Sequence, residues 1–260
     1  MTLEGTNTYL VGRDPAYVVD PGPGIDSHVE AIRIAADERG GIGGILLTHS
    51  HADHSAAVPL LDAPLLWGEV GRGDEALILA AGGAGMSVPR DPNYRVGSSG
   101  DRLPATGPAA PQVGPFTVIP TPGHAVDHVA LVLGDVGFCG DLVLGRGSSI
   151  VPPAAGGGSL ADYMESLARV RALGPALICP GHGPWIQRPE AKLDEYVSHR
   201  LERERKLVAA LEGGQRSRRA LLAAAWGDVP AAMRPAAALA MQAHLEKLES
   251  EGRLPQGISG

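Results

Sequence analysis

One short segment, residues 48–55, constrains this chain more than any other. It places His49, His51, Asp53 and His54 in a single polar turn directly after an apolar run that is typical of a buried strand. His49 and His51 lie two residues apart, so both imidazoles point the same way in an extended turn. Asp53 and His54 are expected to open a helix, whose N-terminus favours an ionised carboxylate. This histidine turn predicts a metal site, because its ligands suit zinc and are also acceptable to iron or manganese.

Three further candidate ligands occupy the same kind of position later in the chain. Each follows a short apolar run and lies on a loop rich in glycine and proline. In a layered α/β protein such loops converge on one rim, where functional sites are built. A single histidine beside a glycine is more often structural, but five histidines in this setting favour a site for two metals. The three are His124, Asp141 and His182, after strands predicted at residues 116–119, 136–138 and 176–178.

The remaining pattern divides the chain into an α/β domain, residues 1–188, and a helical domain, residues 189–260, here called the tail. A glycine- and proline-rich stretch at residues 82–114 predicts a loop with a short hairpin. Asp26 or Ser27 is the candidate N-cap of the first helix. Other strands are predicted at residues 8–11, 16–19, 42–47, 64–66 and 129–133, and helices at 27–39, 160–173, 190–211, 218–226 and 233–251.

Composition describes an ordinary globular chain of 260 residues, with 44% hydrophobic and 20% charged residues. The net charge of −7 argues against a large nucleic-acid footprint, which usually needs a basic surface. No apolar run reaches the roughly 18 residues that a membrane span requires, and no secretory signal is visible, so the cytoplasm is the expected compartment. Cys139 and Cys179 each end an apolar run, which favours buried, reduced thiols over a disulfide.

The ordered set of candidate ligands resembles that of the metallo-β-lactamase superfamily, over residues 2–188. The resemblance implies an α/β fold, the αβ/βα four-layer sandwich of that superfamily. It also implies two divalent metal ions, with zinc expected and iron or manganese as alternatives. Transferred position by position, it assigns His49, His51 and His124 to the first metal, Asp53, His54 and His182 to the second, Asp141 to the bridge, and Asp20 to orienting a ligand loop.

Flanking segments are similar to those of the β-lactamase-like protein 2 group within that superfamily. Members of the group add a winged-helix-like C-terminal domain, and they include a single-strand-specific endoribonuclease and polyketide thioesterases. They also carry a strand before the segment that starts at Gly5, so here either an edge strand is absent or the true start lies upstream. The similar segments are residues 3–12, 121–128, 145–149, 162–164 and 195–200.

The resemblance implies a hydrolase in which a hydroxide shared by two metals attacks an ester, thioester or related acyl bond. Asp53 would ligate one metal and hold that hydroxide as its proton acceptor. A single-strand-specific endoribonuclease and a weakly active metal-binding regulatory protein stay open as alternatives. Asp141 replaces the cysteine of antibiotic-hydrolysing members, which argues against a true β-lactamase. The expected partner is a small acyl or thioester substrate, or single-stranded RNA, with no membrane; a homodimer is the alternative to a monomer.

Several residues near the ligands carry a weaker signal. His128 either contacts a substrate oxyanion or packs beside the metals, and Ser149 either contacts substrate or belongs to a plain loop. His199 and Arg200, on the long helix, either face the cleft or lie on a solvated helix face. The link from His182 to that helix is short, so the tail is expected to wall one side of the cleft without supporting the metals.

Overall fold

The computed structural model describes residues 5–68, 70–72, 75–77 and 110–258. Its strands are β1 (Tyr9–Val11), β2 (Ala16–Val19), β3 (Ile42–Leu46), β4 (Leu65–Trp67), β5 (Val70–Arg72), β6 (Glu75–Leu77), β7 (Gln112–Val113), β8 (Phe116–Pro120), β9 (Val129–Leu133), β10 (Val136–Gly140) and β11 (Leu177–Pro180). Its helices are α1 (Asp26–Asp37), α2 (Ala52–Ser55), α3 (Leu160–Leu173), α4 (Pro189–Glu212), α5 (Arg218–Trp226) and α6 (Arg234–Ser250).

The first sheet has the order β1-β2-β3-β4. β1 and β2 form the predicted antiparallel hairpin, whereas β3 runs parallel to both of its neighbours. α1 covers one face of this sheet through Val29 and Ile32, which pack with Val18 and Ile45. The predicted N-cap of α1 is wrong: Ile25 occupies that position without a side-chain hydrogen bond, since the helix begins at Asp26 itself.

The second sheet has the order β11-β10-β9-β8-β7, and β10 and β11 are its parallel pair. Its inner face packs on the first sheet, where Phe116 and Leu131 contact the core that contains Val19 and Leu46. Its outer face is covered by α3, through residues that include Tyr163. Helix, sheet, sheet and helix therefore form the four predicted layers. Of the predicted loop at residues 82–114, residues 82–109 lie outside the described part of the chain.

The two cysteines lie on adjacent strands but on opposite faces of the second sheet. Cys139 packs under α3, whereas Cys179 belongs to the core between the sheets. Both are free thiols and buried, and burial raises the pKa of Cys139 to about 12 and that of Cys179 to about 11. The prediction of buried, reduced thiols is confirmed.

The tail consists of α4, α5 and α6, as the helical periodicity predicts. α4 contributes to two cores: Leu193 and Tyr196 pack with the residues under α3, whereas Leu207 and Leu211 pack with α5 and α6. A boundary between residues 188 and 189 stays a prediction, and α4 ties together the structure on its two sides. Among the described helices, none combines the length and the apolar character needed to cross a membrane.

Candidate metal centre

The seven candidate ligands come together at one edge of the two sheets. The histidine turn and α2 follow β3, and the other three ligands follow β8, β10 and β11. Their donor atoms form three overlapping groups, within each of which all the atoms lie within 4.8 Å of one another. These groups are His49 with His51 and His124; His49 with His54 and Asp141; and Asp53 with His54 and His182.

The first group is a triad of imidazole nitrogens. His51 Nδ1 lies 3.0 Å from His49 Nε2 and 3.1 Å from His124 Nε2. Nitrogen ligands of a tetrahedral zinc ion lie about 3.3 Å apart, so the spacing suits one cation. His124 Nδ1 donates to the Ile150 carbonyl at 2.8 Å, which leaves Nε2 unprotonated. Burial lowers the pKa of His49 and His124, so both imidazoles are neutral, as metal ligands must be.

The other two groups share His54; with Asp53, Asp141 and His182 it forms what is here called the second group, which mixes imidazoles and carboxylates. His182 Nε2 lies 3.3 Å from both Asp53 Oδ2 and Asp141 Oδ1, and His54 Nε2 lies 3.5 Å from Asp141 Oδ1. His54 Nε2 and Asp141 Oδ1 are buried, and neither has a hydrogen-bond partner within the described residues. Unpaired buried polar atoms are costly, and one cation would satisfy both of these. The donor set therefore fits a metal.

When no cation is bound, the two histidines of the second group carry protons and pair with its carboxylates. Burial disfavours the charged form of His54, but Asp20 and Asp141 outweigh it and raise its pKa to about 10. The pKa of His182 is likewise raised to about 9, because its pairing with the Asp141 and Asp53 carboxylates outweighs burial. Burial also opposes ionisation of Asp141, yet its close pairing with His182 and His54 holds its pKa well below the usual range. Asp141 is thus an anion at neutral pH.

Asp20 orients the histidine turn, in agreement with the role that the resemblance implies. Its backbone adopts a left-handed conformation, with φ of 49°. Its Oδ1 accepts a hydrogen bond from the Thr48 amide at 2.7 Å, and its Oδ2 accepts from the Thr48 hydroxyl at 2.7 Å. Oδ2 also pairs with His54 Nδ1 at 2.9 Å, so that Nε2 points at the ligand group.

His128 uses both ring nitrogens inside the protein. Its Nε2 accepts a hydrogen bond from the Asp141 amide at 3.2 Å, and Nδ1 donates to the Thr121 hydroxyl at 2.8 Å. Burial holds its pKa well below the usual value, so the ring is neutral. A side chain at Gly140, whose φ is 43°, would collide with Thr48 and lie 2.8 Å from His128 Nε2. These contacts favour packing beside the metals over contact with a substrate oxyanion.

Ser149 and Arg200 meet behind the ligands rather than in an open cleft. The Ser149 hydroxyl donates to the Asp141 carbonyl at 2.6 Å, and the Ser149 carbonyl accepts from Arg200. Arg200 is 4% exposed, so it does not lie on a solvated helix face. His199 is half-buried and accepts a hydrogen bond from Arg203 of the same helix. A substrate contact by His199 stays a prediction, and so does the expectation that the metals do not depend on the tail, although the tail does contact the loop that follows Asp141.

Sequence reasoning missed the support given by the N-terminal segment to the His182 loop. The Asn7 side-chain amide donates to the carbonyls of Pro180, at 3.0 Å, and Gly183, at 2.8 Å. His182 Nδ1 donates to the Gly5 carbonyl at 2.8 Å, which again leaves Nε2 free for a ligand role. The segment stands out in the sequence only through its resemblance to relatives, which gave Asn7 no role.

Asp127 was also missed, although it lies between two candidate residues. Its Oδ2 accepts a hydrogen bond from the Ser50 amide at 2.8 Å. The contact joins the histidine turn to the loop of His124, so the first triad is held from two strands. The one signal for Asp127 in the sequence was its position next to His128 and three residues after the candidate ligand His124.

Comparisons with known proteins agree with this arrangement. The family model described as the metallo-beta-lactamase superfamily matches residues 1–182, and that of the beta-lactamase associated winged helix domain matches residues 217–257. A crystal structure of a beta-lactamase domain protein from Burkholderia ambifaria superposes with a TM-score of 0.69 at 20% identity, covering 95% of this chain and 82% of that one. At that identity the superposition supports the fold alone.

Curated relatives extend the match over nearly the whole chain. The chain is 31% identical over 271 residues to the beta-lactamase-like protein 2 homolog of Drosophila melanogaster, covering 98% of this chain and 85% of the relative. It is 30% identical over 223 residues to the atrochrysone carboxyl ACP thioesterase of Aspergillus fumigatus, covering 84% of this chain and 64% of the relative. The chain therefore belongs to the metallo-β-lactamase superfamily, in its β-lactamase-like protein 2 group with an associated winged helix domain.

Proposed function

We propose that this protein is a dinuclear metal-dependent hydrolase that cleaves an ester, thioester or related acyl bond. One observation carries the dinuclear assignment: the two oxygens of Asp141 face different ligand groups. Its Oδ2 lies 3.7 Å from His124 Nε2, whereas its Oδ1 lies 3.3 Å from His182 Nε2. A carboxylate with one oxygen toward each group is suited to bridging two cations.

Each of the two ions would have three ligands of its own, and Asp141 would be shared between them. Two zinc ions, with iron or manganese as alternatives, would bring the pKa of a water molecule near neutrality and polarise the substrate carbonyl. The chain holds the first ion through three imidazoles and the second through two imidazoles and a carboxylate. The assigned residues are His49, His51 and His124, then Asp53, His54 and His182, with Asp141 between them.

Asp53 is the residue that we assign to proton transfer. Burial opposes its ionisation, but its pairing with His182 lowers its pKa, so the carboxylate is ionised at neutral pH. Its side chain is 30% exposed, whereas that of Asp141 is 13% exposed. His51 is the other exposed member of the ligand set. A substrate would approach from this side, where the Asp53 carboxylate can orient the attacking water and accept its proton.

An acyl substrate is favoured over RNA by the thioesterase among the relatives and by the charge of the chain. A net charge of −7 and an aromatic content of 4% give little electrostatic attraction and few stacking platforms for bases. A single-strand-specific endoribonuclease is the second candidate. It is favoured by three arginines in and just before the first turn of α5, which form no ion pair within the described residues: Arg216, Arg218 and Arg219.

The test combines metal analysis with activity assays on the purified full chain. We expect about two equivalents of zinc per chain and hydrolysis of members of an acyl thioester panel. His51→Ala should abolish that activity, whereas Ser148→Ala, in an exposed part of a neighbouring loop, should leave it within twofold. A folded, metal-loaded chain with one equivalent or less rejects the dinuclear assignment. Cleavage of single-stranded RNA without thioester hydrolysis would select the second candidate instead.

A further inference from the structure

Residues 141–150, here called the Asp141 loop, form hydrogen bonds with the tail. The loop begins with Asp141, the proposed bridging ligand. Tyr196 of α4 is buried, and its hydroxyl accepts a hydrogen bond from the Leu144 amide at 3.0 Å. The same hydroxyl donates to the Gly147 carbonyl at 3.0 Å. One turn further along α4, Arg200 donates to the Ser149 carbonyl. Two consecutive turns of a tail helix thus bind the backbone of a loop that carries a candidate ligand.

Arg200 is an unusual residue in this position. Its guanidinium lies over the Tyr163 ring, 5.2 Å from the centroid, and the side chain is almost fully buried. Within the described part of the chain it has no carboxylate at salt-bridge distance, and its Nε has no hydrogen-bond partner. Burying a charge without an ion pair is costly, so packing alone is a poor explanation for an arginine here. The hydrogen bond that it donates within the described residues goes to the Asp141 loop.

Ser149 and its neighbour Ile150 contact two of the candidate ligands. Its hydroxyl donates to the Asp141 carbonyl at 2.6 Å and lies 3.4 Å from His124 Nδ1. The next carbonyl, that of Ile150, accepts the hydrogen bond from His124 Nδ1 at 2.8 Å. The peptide unit that Arg200 binds therefore lies between the Ser149 hydroxyl, which contacts the Asp141 backbone, and the Ile150 carbonyl, which accepts from the His124 ring.

We propose that Arg200 is a positioning residue through which the tail sets the geometry of the metal centre. The inference rests on the metal centre of the proposed function, but not on the identity of its substrate. Arg200 acts through the Ser149–Ile150 peptide, so it need not touch the substrate or the metals. Orienting contacts of this kind commonly change metal affinity or activity by 10- to 100-fold when they are removed.

Arg203 provides a matched control on the same helix. It is also buried, at 9% exposed, and its guanidinium bonds the Ala225 carbonyl and the Asp228 carboxylate of the tail. Within the described residues its hydrogen bonds go to His199, Ala225 and Asp228, and none of them reaches the Asp141 loop. Removing Arg203 should therefore destabilise the tail without changing the ligands directly.

The experiment compares Arg200→Met, Arg200→Lys and Arg203→Met with the wild type as full chains. Zinc affinity is measured by competition with a chelator, and amide hydrogen exchange is measured over residues 141–150. We expect Arg200→Met to weaken zinc binding at least tenfold and to speed exchange in the Asp141 loop. Arg200→Lys, which keeps a charged donor, should recover part of both losses. Arg203→Met should lower the unfolding temperature but leave zinc affinity within twofold.

Equal loss of zinc affinity in Arg200→Met and Arg203→Met would show general destabilisation and overturn the proposal. Unchanged affinity and exchange in Arg200→Met would overturn it as well. If Arg200→Met does not fold, Ser149→Ala takes its place. This change removes the hydroxyl that links the residue bound by Arg200 to the Asp141 carbonyl. Unchanged zinc affinity and exchange in Ser149→Ala then overturn the proposal. A wild type that binds zinc but hydrolyses no acyl substrate counts against the proposed function alone.

Discussion

Individual residues make the two ligand groups chemically unequal before any metal arrives. His49 and His124 have pKa values lowered by burial, so their imidazoles are neutral. His54 and His182 are also buried, but neighbouring carboxylates raise their pKa values to about 10 and about 9. At pH 7 His49 and His124 are ready to bind a cation, whereas His54 and His182 hold protons that a cation must displace.

This difference predicts that the two zinc equivalents bind with different proton release. At pH 7 the first should release few protons from its histidines, and the second should release about two, from His54 and His182. Affinity for the second ion should fall as the pH decreases, because protons compete with it, and should rise until about pH 9–10. Calorimetric titration in buffers of different ionisation enthalpy measures the release. Equal proton release for both equivalents would contradict the prediction, and His182→Ala should release about one proton fewer.

The sequence identifies the ligands themselves because their residue types, spacing and place after apolar runs are local signals. The hydrogen bonds that hold the ligand loops in place are not local in the sequence. Asp20 reaches Thr48 across 28 positions, and Asn7 reaches Pro180 across 173. The alternatives for His128 depended on whether another residue would bind its ring, and Thr121 does so from a neighbouring strand end. Nothing in the sequence pattern could specify those pairings.

At the scale of elements, prediction succeeded where the end signals lie in the chain itself. α3 spans the predicted residues 160–173, because the Ser159 side chain caps its start and Gly174, with φ of 63°, ends it. α1 lacks such a cap, and its predicted N-cap failed. The order of the second sheet brings the ligand loops together, and strand order follows from packing between distant segments rather than from local pattern.

The segment before β1 offers a test of how one element supports another. Asn7→Ala removes two hydrogen bonds to the His182 loop; the Gly183 carbonyl loses this donor, whereas the Pro180 carbonyl keeps the Tyr9 hydroxyl. We expect a loss of about 1–3 kcal/mol in the free energy of unfolding. We also expect weaker binding of the second zinc ion, because His182 loses its orientation. Urea unfolding and zinc titration measure the two effects.

Gln112→Ala is the matched control, since it also removes a side-chain amide hydrogen bond. The Gln112 amide donates to the Thr117 hydroxyl on the exposed edge of the second sheet. This control should change stability by less than about 0.5 kcal/mol and leave zinc binding unaltered. If Asn7→Ala behaves like Gln112→Ala, the N-terminal segment does not support the His182 loop.

For the whole molecule, α4 decides whether the two units are separable. Sequence reasoning treated the tail as an independent unit that walls the cleft, because a change of texture after residue 188 looks like a domain boundary. Leu193 and Tyr196 are instead buried in the core under α3, at 1% and 2% exposed, and α6 adds Ala243 to that core. Such packing between distant segments leaves no mark on the periodicity of a helix.

Deleting the chain from Lys192 onward should therefore prevent the α/β unit from folding. Each large buried side chain that is lost costs about 2–5 kcal/mol, against a total stability of about 5–15 kcal/mol for a typical protein. Circular dichroism should show no cooperative thermal transition for the truncated chain. A truncated chain that unfolds cooperatively and binds zinc as the full chain does would contradict this expectation. Arg253→Ala, an exposed change in the intact tail, should keep the transition.

The shared helix also limits how tails can be exchanged between relatives. α4 is 24 residues long, about 36 Å, and lies between the segments that the two family models match. A chimera joined at residue 188 would discard Tyr196 and Arg200 along with the tail. A junction at Gly213 or Gly214, where α4 has ended, keeps the loop contacts and requires the grafted helices to fit Leu207, Leu211 and the core under α3 that Ala243 enters. Tails from other members of the group should therefore be joined after α4 rather than before it.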